Sequence, residues 1–439
     1  MRALLLSMLA LLCLVFPAPA RALVGDSDEA FGLDGSIRNI SGAIDNFNPS
    51  PFWLPTNGGD AFSQTILRLT AMGAPTHWLS YELHAVQTLD YSSGGASSGA
   101  FSLVPGVTRF RALDATWTPD ASGKLTATTL LDRFAVKFSP EWGDITIGRQ
   151  AITFGKAFFW NPLDVFLAFD PLQFDREYKP GVDALRVDIP LGDFSGITLV
   201  GALGREITPT GSYLTGNKAF DADWYGSAVL ARFFTLYENY DLSLQAGKIY
   251  GGYQVGGGAS GEVMEWLELR IEAACFRAMD SLGVYASPLH LPASYLGPLV
   301  EDHATAVLGI GHRFENTLHV QMEYLFNGQG EPDRLSLGLV RVSHGQSYHM
   351  GRHVLGVTAS YEILPIVTGQ LAAIASLDAR SAQIQPSVTW SASDNVEVVG
   401  GAIVSLGDRP VGVSPLVPRL QSEFGTFPDF YFLEVKAYF

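Results

Sequence analysis

Residues 430–439, FYFLEVKAYF, end the chain, and their side chains alternate in character. One face of an extended strand would carry the five apolar residues Tyr431, Leu433, Val435, Ala437 and Phe439. The opposite face would carry Glu434 and Lys436. Since side chains alternate between the two faces of a strand, this stretch predicts a β-strand with one apolar and one polar side. Such a strand suits a barrel with lipid outside and water inside.

An alternating segment that ends the chain on an aromatic residue, here Phe439, resembles the C-terminal assembly signal of bacterial outer-membrane β-barrel proteins. The resemblance implies recognition by the barrel-assembly machinery and insertion into outer-membrane lipid. It also implies that the last strand pairs with the first, which closes the barrel. A chance aromatic ending is the alternative, and the same pattern elsewhere in the chain argues against it.

The alternation recurs in segments of about ten residues, the length of a membrane-spanning strand. It is clearest in 263–273, where Glu268, Arg270 and Glu272 face away from large apolar residues. We predict eighteen strands, near 31–43, 61–73, 78–90, 129–139, 143–154, 181–190, 195–204, 223–235, 239–250, 252–260, 262–274, 303–314, 317–327, 352–362, 366–377, 381–391, 394–406 and 429–439.

The fold class is therefore all-β, a transmembrane antiparallel up-and-down β-barrel. Sixteen strands are nearly as well supported as eighteen, because the glycine-rich 252–260 is a weak strand and 334–342 also alternates. An even number puts both termini at one end, and either barrel is wide enough for an aqueous channel.

Composition limits the class of protein. Charged residues are 16% of the 439, hydrophobic residues are 47%, and the formal net charge is −16. The chain is too apolar to be disordered, and it lacks the basic excess that a nucleic-acid-binding protein needs. We expect no nucleic-acid partner.

The N-terminus predicts export. Arg2 precedes an uncharged leucine-rich run, and Ala20-Arg21-Ala22 fits the cleavage rule for a signal peptide. We expect residues 1–22 to be removed and 23–439 to form the barrel in the bacterial outer membrane. An uncleaved anchor is disfavoured by Pro17 and Pro19. After cleavage only Cys275 remains, and no haem-attachment or zinc spacing occurs, so we expect no disulfide, no metal and no cofactor.

Polar residues on the predicted inner face would line the lumen. The candidates are Arg68, Arg133, Lys137, Arg186, Asp188, Glu268, Arg270, Glu272, Glu323, Glu434 and Lys436. Their signs nearly balance, which places the acidic excess in loops and turns. Acidic loops would raise the cation concentration at the mouth, so we expect a weak cation preference. The alternative is that these are ordinary wall residues that pair with one another.

Segment 155–180 is the least strand-like part of the chain and is rich in aromatic residues. Asn161 before Pro162 is a good helix start, so we expect a short helix and loop folded into the lumen as a constriction. The candidate constriction residues are Phe158, Phe159, Trp160, Asp164, Phe166, Phe169, Asp175, Arg176 and Glu177. The alternative is an external loop whose aromatic side chains sit at the membrane interface.

The stretch from Gly148 to Val187 resembles uncharacterised porin-like outer-membrane proteins of Gram-negative bacteria. The pattern and the resemblance together favour a passive porin that passes small polar solutes or ions and is not an enzyme. The barrel could associate with itself. One alternative is a sheath around a periplasmic or extracellular cytochrome that conducts electrons. A second is an outer-membrane hydrolase, for which Gly95-Ala96-Ser97-Ser98-Gly99 is a weak motif because no strand and helix frame it.

Overall fold

A computed structural model describes residues 23–25, 29–45, 59–93, 109–166, 178–205, 220, 222–264, 266–279, 283–284, 297–343, 345–414 and 417–439. The first strands are β1 (Gly32–Asp45), β2 (Asp60–Thr76), β3 (Leu79–Ser92), β4 (Thr116–Ser122), β5 (Leu125–Phe138), β6 (Asp144–Gln150), β7 (Val182–Pro190), β8 (Ser195–Gly204), β9 (Asp223–Tyr237), β10 (Tyr240–Ile249), β11 (Gly252–Val263) and β12 (Leu267–Ala278).

The remaining strands are β13 (Gly283–Val284), β14 (Gly297–Pro298), β15 (His303–Arg313), β16 (His319–Asn327), β17 (His353–Leu364), β18 (Val367–Ser376), β19 (Ser381–Ser393), β20 (Val396–Leu406), β21 (Val411–Ser414), β22 (Val417–Arg419) and β23 (Asp429–Tyr438). Helix α1 (Leu335–Ser343) lies between β16 and β17, after a 3-10 turn at Pro332–Arg334, and a second 3-10 turn spans Phe424–Thr426. Within the described residues, no helix is long and apolar enough to cross a membrane.

The strands form one closed antiparallel barrel of eighteen wall positions. Each wall strand pairs with its neighbours in chain order, and β1 pairs with β23 from Ser36–Tyr438 to Asp45–Asp429, which closes the wall. Strands β4 and β6 share one wall position, because both lie on the same side of β5: β4 pairs with its first half and β6 with its second half. The pairs β13–β14 and β21–β22 are small separate sheets. The eighteen-strand prediction is confirmed, including β11 at the glycine-rich segment.

The two faces of the wall differ as the alternation predicts. Leu244 and Val255 on one face are 66% and 59% exposed. Large apolar side chains are usually buried in a water-soluble protein, whereas such exposure suits a surface that lipid covers. Gln245 and Glu272, on the opposite face of the same part of the wall, are buried. We call these the outer and inner faces.

Two local expectations are wrong. Residues 334–342, the alternative strand, are α1 instead, since Leu335, Leu339 and Val342 also recur at helical spacing and pack beside Met350. Short apolar runs are ambiguous between helix and strand. Residues 161–166 form a turn rather than a helix. Side chains of the wall form hydrogen bonds with backbone carbonyls that a helix would use internally. Gln245 donates to the carbonyl of Leu163, and Gln254 donates to that of Pro162.

Candidate functional site

Residues 151–166, which we call the inward segment, leave the wall at the end of β6 and run across the barrel interior. Gln245 on β10 donates to Leu163 O at 2.9 Å, and the guanidinium of Arg232 on β9 lies 5.0 Å from the Phe154 ring centroid. Glu323 on β16 accepts from the backbone of the same segment. One segment can touch the inner faces of strands so far apart around a barrel only if it lies inside.

Two wall glutamates hold the backbone of the inward segment. Glu272 on β12 accepts the N–H groups of Lys156, Ala157 and Leu163 at 2.5, 3.2 and 3.3 Å. Glu323 accepts the N–H of Phe159 at 2.7 Å and also that of Phe158. Both carboxyl groups are almost fully buried. Because each carboxyl group accepts more than one backbone N–H of the segment, these two side chains fix its path.

The aromatic residues of the segment pack against the wall on the far side of the barrel. Phe159 and Trp160 are almost fully buried in a cluster whose other buried members are Val307, Leu325, Val354, Ile374 and Phe424. Gly356 on β17 makes room for them, since a Cβ there would lie 2.7 Å from the Phe159 ring and 2.9 Å from Trp160. A glycine at this wall position therefore lets the segment seat closely.

The end of the aromatic run is held by polar partners from two other loops. Trp160 Nε1 donates to His349 Nε2 at 3.0 Å, and His349 Nδ1 lies 2.7 Å from Glu423 Oε1. Glu423 also accepts the N–H groups of Met350 and Gly351. Burial alone would raise the pKa of Glu423, but the neighbouring His349 and these hydrogen bonds hold that pKa below its ordinary value.

A second anchor joins the two limbs of the loop that contains the inward segment. The ammonium of Lys179 contacts the carboxylate of Asp164, and both side chains are buried. The Tyr348 hydroxyl donates to Asn161 O at 2.9 Å, and burial raises the pKa of this phenol above its ordinary value. Phe166 is buried in a separate apolar cluster with Phe110 and Phe154. Four other candidate constriction residues, Phe169, Asp175, Arg176 and Glu177, lie outside the described residues.

Basic residues follow the inner face on one side of the barrel. Arg68 pairs with Asp132 at 2.9 Å, and its guanidinium lies 4.3 Å from the Tyr178 ring centroid. Arg133 donates to Lys179 O at 2.6 Å. Lys137 pairs with Asp144, and Arg186 with Asp188, each at 2.7 Å. Asp132 also holds Arg111, whose pKa burial lowers.

Sequence reasoning missed one member of this row, Arg232 on β9. Its Thr198 partner on β8 shares a face with Asp188, so Arg232 belongs to the same inner face. It lies within electrostatic range of Arg186, Glu272 and Asp164. Alternation within residues 231–237, ARFFTLY, could have placed Arg232 on the inner face. The adjacent pair Phe233 and Phe234 interrupts this alternation.

The remaining predicted lumen residues lie on inner-face positions as well. Glu268 pairs with Arg270 at 2.9 Å and lies 3.4 Å from His319. Glu434 pairs with Arg38 across the β1–β23 closure. Lys436 shares their face of β23. Much of the wall charge is thus paired locally. Among the described residues, no group of His, Cys, Asp and Glu is placed to hold a metal ion.

The predicted assembly signal lies on the outer face of β23. Tyr431 is 48% exposed, and Leu433, Val435 and Ala437 share its face. Phe439 exchanges backbone hydrogen bonds with Gly35 of β1, at 2.9 Å and 2.7 Å. Its ring covers Gly35, where a Cβ would lie 2.3 Å from it. The last residue therefore contributes to the seam that closes the barrel.

Comparison with solved structures places the fold. A BenF-like porin from Pseudomonas fluorescens Pf-5 aligns with TM-score 0.54 and 12% identity, covering 94% of this chain and 99% of that one. OpdK, an outer-membrane protein of Pseudomonas aeruginosa, aligns with TM-score 0.51 and 11% identity over 94% and 100%. OccAB3 of Acinetobacter baumannii aligns with TM-score 0.52 and 10% identity over 93% and 99%.

At the level of sequence, no protein-family model and no curated protein matches the chain. At such low identity the structural likeness describes the fold. The chain shares the fold of these proteins: a closed antiparallel β-barrel of eighteen strands, with a segment folded into its interior.

Proposed function

We propose that the protein is a passive channel of the bacterial outer membrane for small polar solutes or ions. The observation that carries the proposal is the inward segment, whose backbone is held by Glu272 and Glu323 across a closed barrel with an apolar outer face. A wide barrel passes solutes without discrimination, whereas a segment held at fixed points inside it sets the width and chemistry of the path. No chemical step on the chain is required.

The ion preference in this proposal is weakly cationic. The formal charge is −16, and the described basic residues of the inner face are largely matched by acidic partners such as Asp132, Asp144 and Asp188. An acidic excess outside the paired wall raises the cation concentration at the channel mouths. The effect is expected to be small and to fall with ionic strength.

A larger solute that carries an anionic group would contact the basic residues of the inner face directly. Their charge would then affect it more than the net charge of the whole protein. In Arg133 and Arg232 the buried Nε–H has no hydrogen-bond partner among the described residues. A carboxylate accepts from guanidinium groups in this way. OpdK has been solved with vanillate, and we propose a solute of comparable size with an anionic group for this channel.

The proposal is tested in a planar bilayer with the refolded chain under a salt gradient. Stepwise conductance with a reversal potential of the sign for cations is expected. Added vanillate is expected to reduce the current from one side in a concentration-dependent way. Conductance that vanillate leaves unchanged would remove the proposed solute class but leave the channel. A folded barrel that inserts and never conducts would overturn the channel itself.

The two alternatives predict different results. A sheath around a cytochrome predicts a lumen closed by a partner protein, so the isolated barrel would pass solutes of any charge or co-purify with haem absorbance. A hydrolase predicts a serine-dependent activity, and the motif at 95–99 lies outside the described residues. The proposal also includes removal of residues 1–22 as a signal peptide, recognition by the barrel-assembly machinery, and self-association. The mass of the exported chain tests whether residues 1–22 are removed.

A further inference from the structure

The contacts of His349 determine where its protons are. The indole N–H of Trp160 can only donate, and it points at His349 Nε2 at 3.0 Å. Nε2 must therefore carry a lone pair. The ring's other nitrogen, Nδ1, then carries the proton and donates to Glu423 Oε1 at 2.7 Å. The geometry thus requires a neutral imidazole in one tautomer.

We propose that His349 is a positioning residue that holds Trp160, and with it the inward segment, only while Nε2 is unprotonated. The inference rests on the proposed function, since it concerns the segment that would define the channel path. It adds a regulated element to that function: acidification would loosen the constriction.

Protonation changes one contact and preserves the other. A proton from solvent bonds to the Nε2 lone pair, so two N–H groups then face each other where one hydrogen bond existed. The imidazolium keeps Glu423 as its partner, and the added charge strengthens that contact. Trp160 is fully buried, so its N–H would lose its acceptor without gaining water, which disfavours the seated position. Histidine is the side chain whose charge ordinarily changes between pH 5 and 8.

The other titratable groups around His349 have partners of their own. On its own loop, Tyr348 donates to Asn161 O. On the loop before β19, Asp378 accepts from the backbone of Arg352 and His353. His353, which begins β17, contacts the Tyr324 hydroxyl. Under the aromatic run, Glu323 accepts from Phe158 and Phe159.

Release of Trp160 would reach the rest of the segment through packing. The rings of Phe159 and Trp160 lie 5.2 Å apart, and both fill the space above Gly356. The ring of His349 also packs edge-on against Phe424, 5.8 Å between centroids. Displacement of the indole therefore removes the contact that ties the aromatic run to the two loops at 345–352 and 417–428.

The test compares single-channel records at pH 7.5 and pH 5.0 for the refolded full chain. For the natural sequence, we expect a second conductance level whose occupancy rises about fivefold at the lower pH, the effect of losing about one hydrogen bond. The variant His349→Gln keeps an acceptor for Trp160 and a donor for Glu423 but does not titrate, so the rise should vanish. Trp160→Phe should abolish it too, since the opposing N–H is gone.

His353→Gln is the matched control and should retain the rise. A pH response that survives in His349→Gln, or one that is absent from a conducting natural channel, would overturn the inference and leave the channel proposal intact. If the barrel never conducts, the NMR resonance of the Trp160 indole N–H still tests the inference. This resonance is assigned by its absence from the spectrum of Trp160→Phe. It should shift across the same pH range in the natural chain and stay fixed in His349→Gln, and a fixed resonance in both would overturn the inference.

Discussion

The carboxylate of Glu323 on β16 accepts the backbone N–H of Phe159 at 2.7 Å, although the two residues are 164 positions apart in the sequence. Glu272 on β12 makes equivalent contacts to Lys156 and Leu163. Two carboxyl groups of the wall thus hold irregular backbone inside a barrel, where it would otherwise lack partners.

Replacing either carboxylate is expected to release the inward segment. Each hydrogen bond contributes about 0.5–1.5 kcal/mol and each carboxyl group accepts at least two, so Glu323→Ala and Glu272→Ala should each raise single-channel conductance and its fluctuations. Glu268→Ala is the matched control, because Glu268 lies on the same face of β12 but pairs with Arg270. Equal conductance in all three variants would contradict the role given to the two glutamates.

A side chain at Gly356 should push the segment off its seat. A Cβ would meet the Phe159 ring at 2.7 Å, and overpacking of this kind costs about 1–3 kcal/mol. We expect Gly356→Ala to lower the temperature at which the barrel unfolds in detergent, measured by the gel-mobility shift on heating. The control is Gly400→Ala on β20, where the nearest atom to a new Cβ is 3.7 Å away. A Gly356→Ala barrel as stable as that control would show that the segment yields freely.

The loop contact made by Glu423 should weaken in acid. Its pKa is held below the ordinary carboxyl value of 4.5 by His349 and hydrogen bonds. A carboxyl with a lowered pKa stabilises the folded state fully above its unfolded pKa, and this stabilisation is lost as the pH falls through the folded pKa. Protection of the Met350 and Gly351 amides from hydrogen exchange, taken relative to the intrinsic exchange rate at each pH, should therefore fall below about pH 4.5. Glu423→Gln should reduce this protection already at neutral pH; protection that stays constant with pH in the natural chain would argue against the contact.

Removing charge from the basic row should change selectivity. Arg186→Gln and Arg232→Gln are expected to shift the reversal potential in a salt gradient further toward cations and to weaken block by vanillate. Single-channel recording under low salt gives the largest effect, because screening is least there. Arg277→Gln removes the same charge from the outer face of β12 and should change neither quantity. An equal effect of all three would indicate that only net charge matters.

Shortening the last side chain should impair assembly more than it impairs the finished barrel. Phe439 covers Gly35 and bonds to its backbone at the closing seam. We expect Phe439→Ala to reduce severalfold the amount of heat-modifiable barrel recovered from the outer membrane. Phe314→Ala, an exposed aromatic residue between β15 and β16, serves as the control. Recovery of the Phe439→Ala barrel in normal amounts would show that assembly does not depend on this side chain.

How far the sequence predicts this protein varies between wall and interior. The strand at 263–273 and the closing strand could be located because their side chains alternate with a fixed period, and a wall between lipid and water imposes that period on every strand. Segment 334–342 alternates equally well and is a helix, because Leu335, Leu339 and Val342 find apolar partners in loops instead of lipid. Local pattern could not distinguish these environments.

The candidate site divides in the same way. The alternation placed Glu272 and Glu323 on the inner face, and the aromatic residues around Trp160 marked an unusual segment. The alternation could not show that these carboxylates hold that segment. Nor could it show that His349, 189 positions from Trp160, and Glu423, 74 positions beyond His349, complete the anchor of Trp160. By itself the sequence determined a barrel wall of alternating strands with two distinct faces, since a solvent boundary acts on each residue separately. Only the tertiary structure decided which buried polar groups meet, since such pairing depends on where distant segments lie once the barrel has closed.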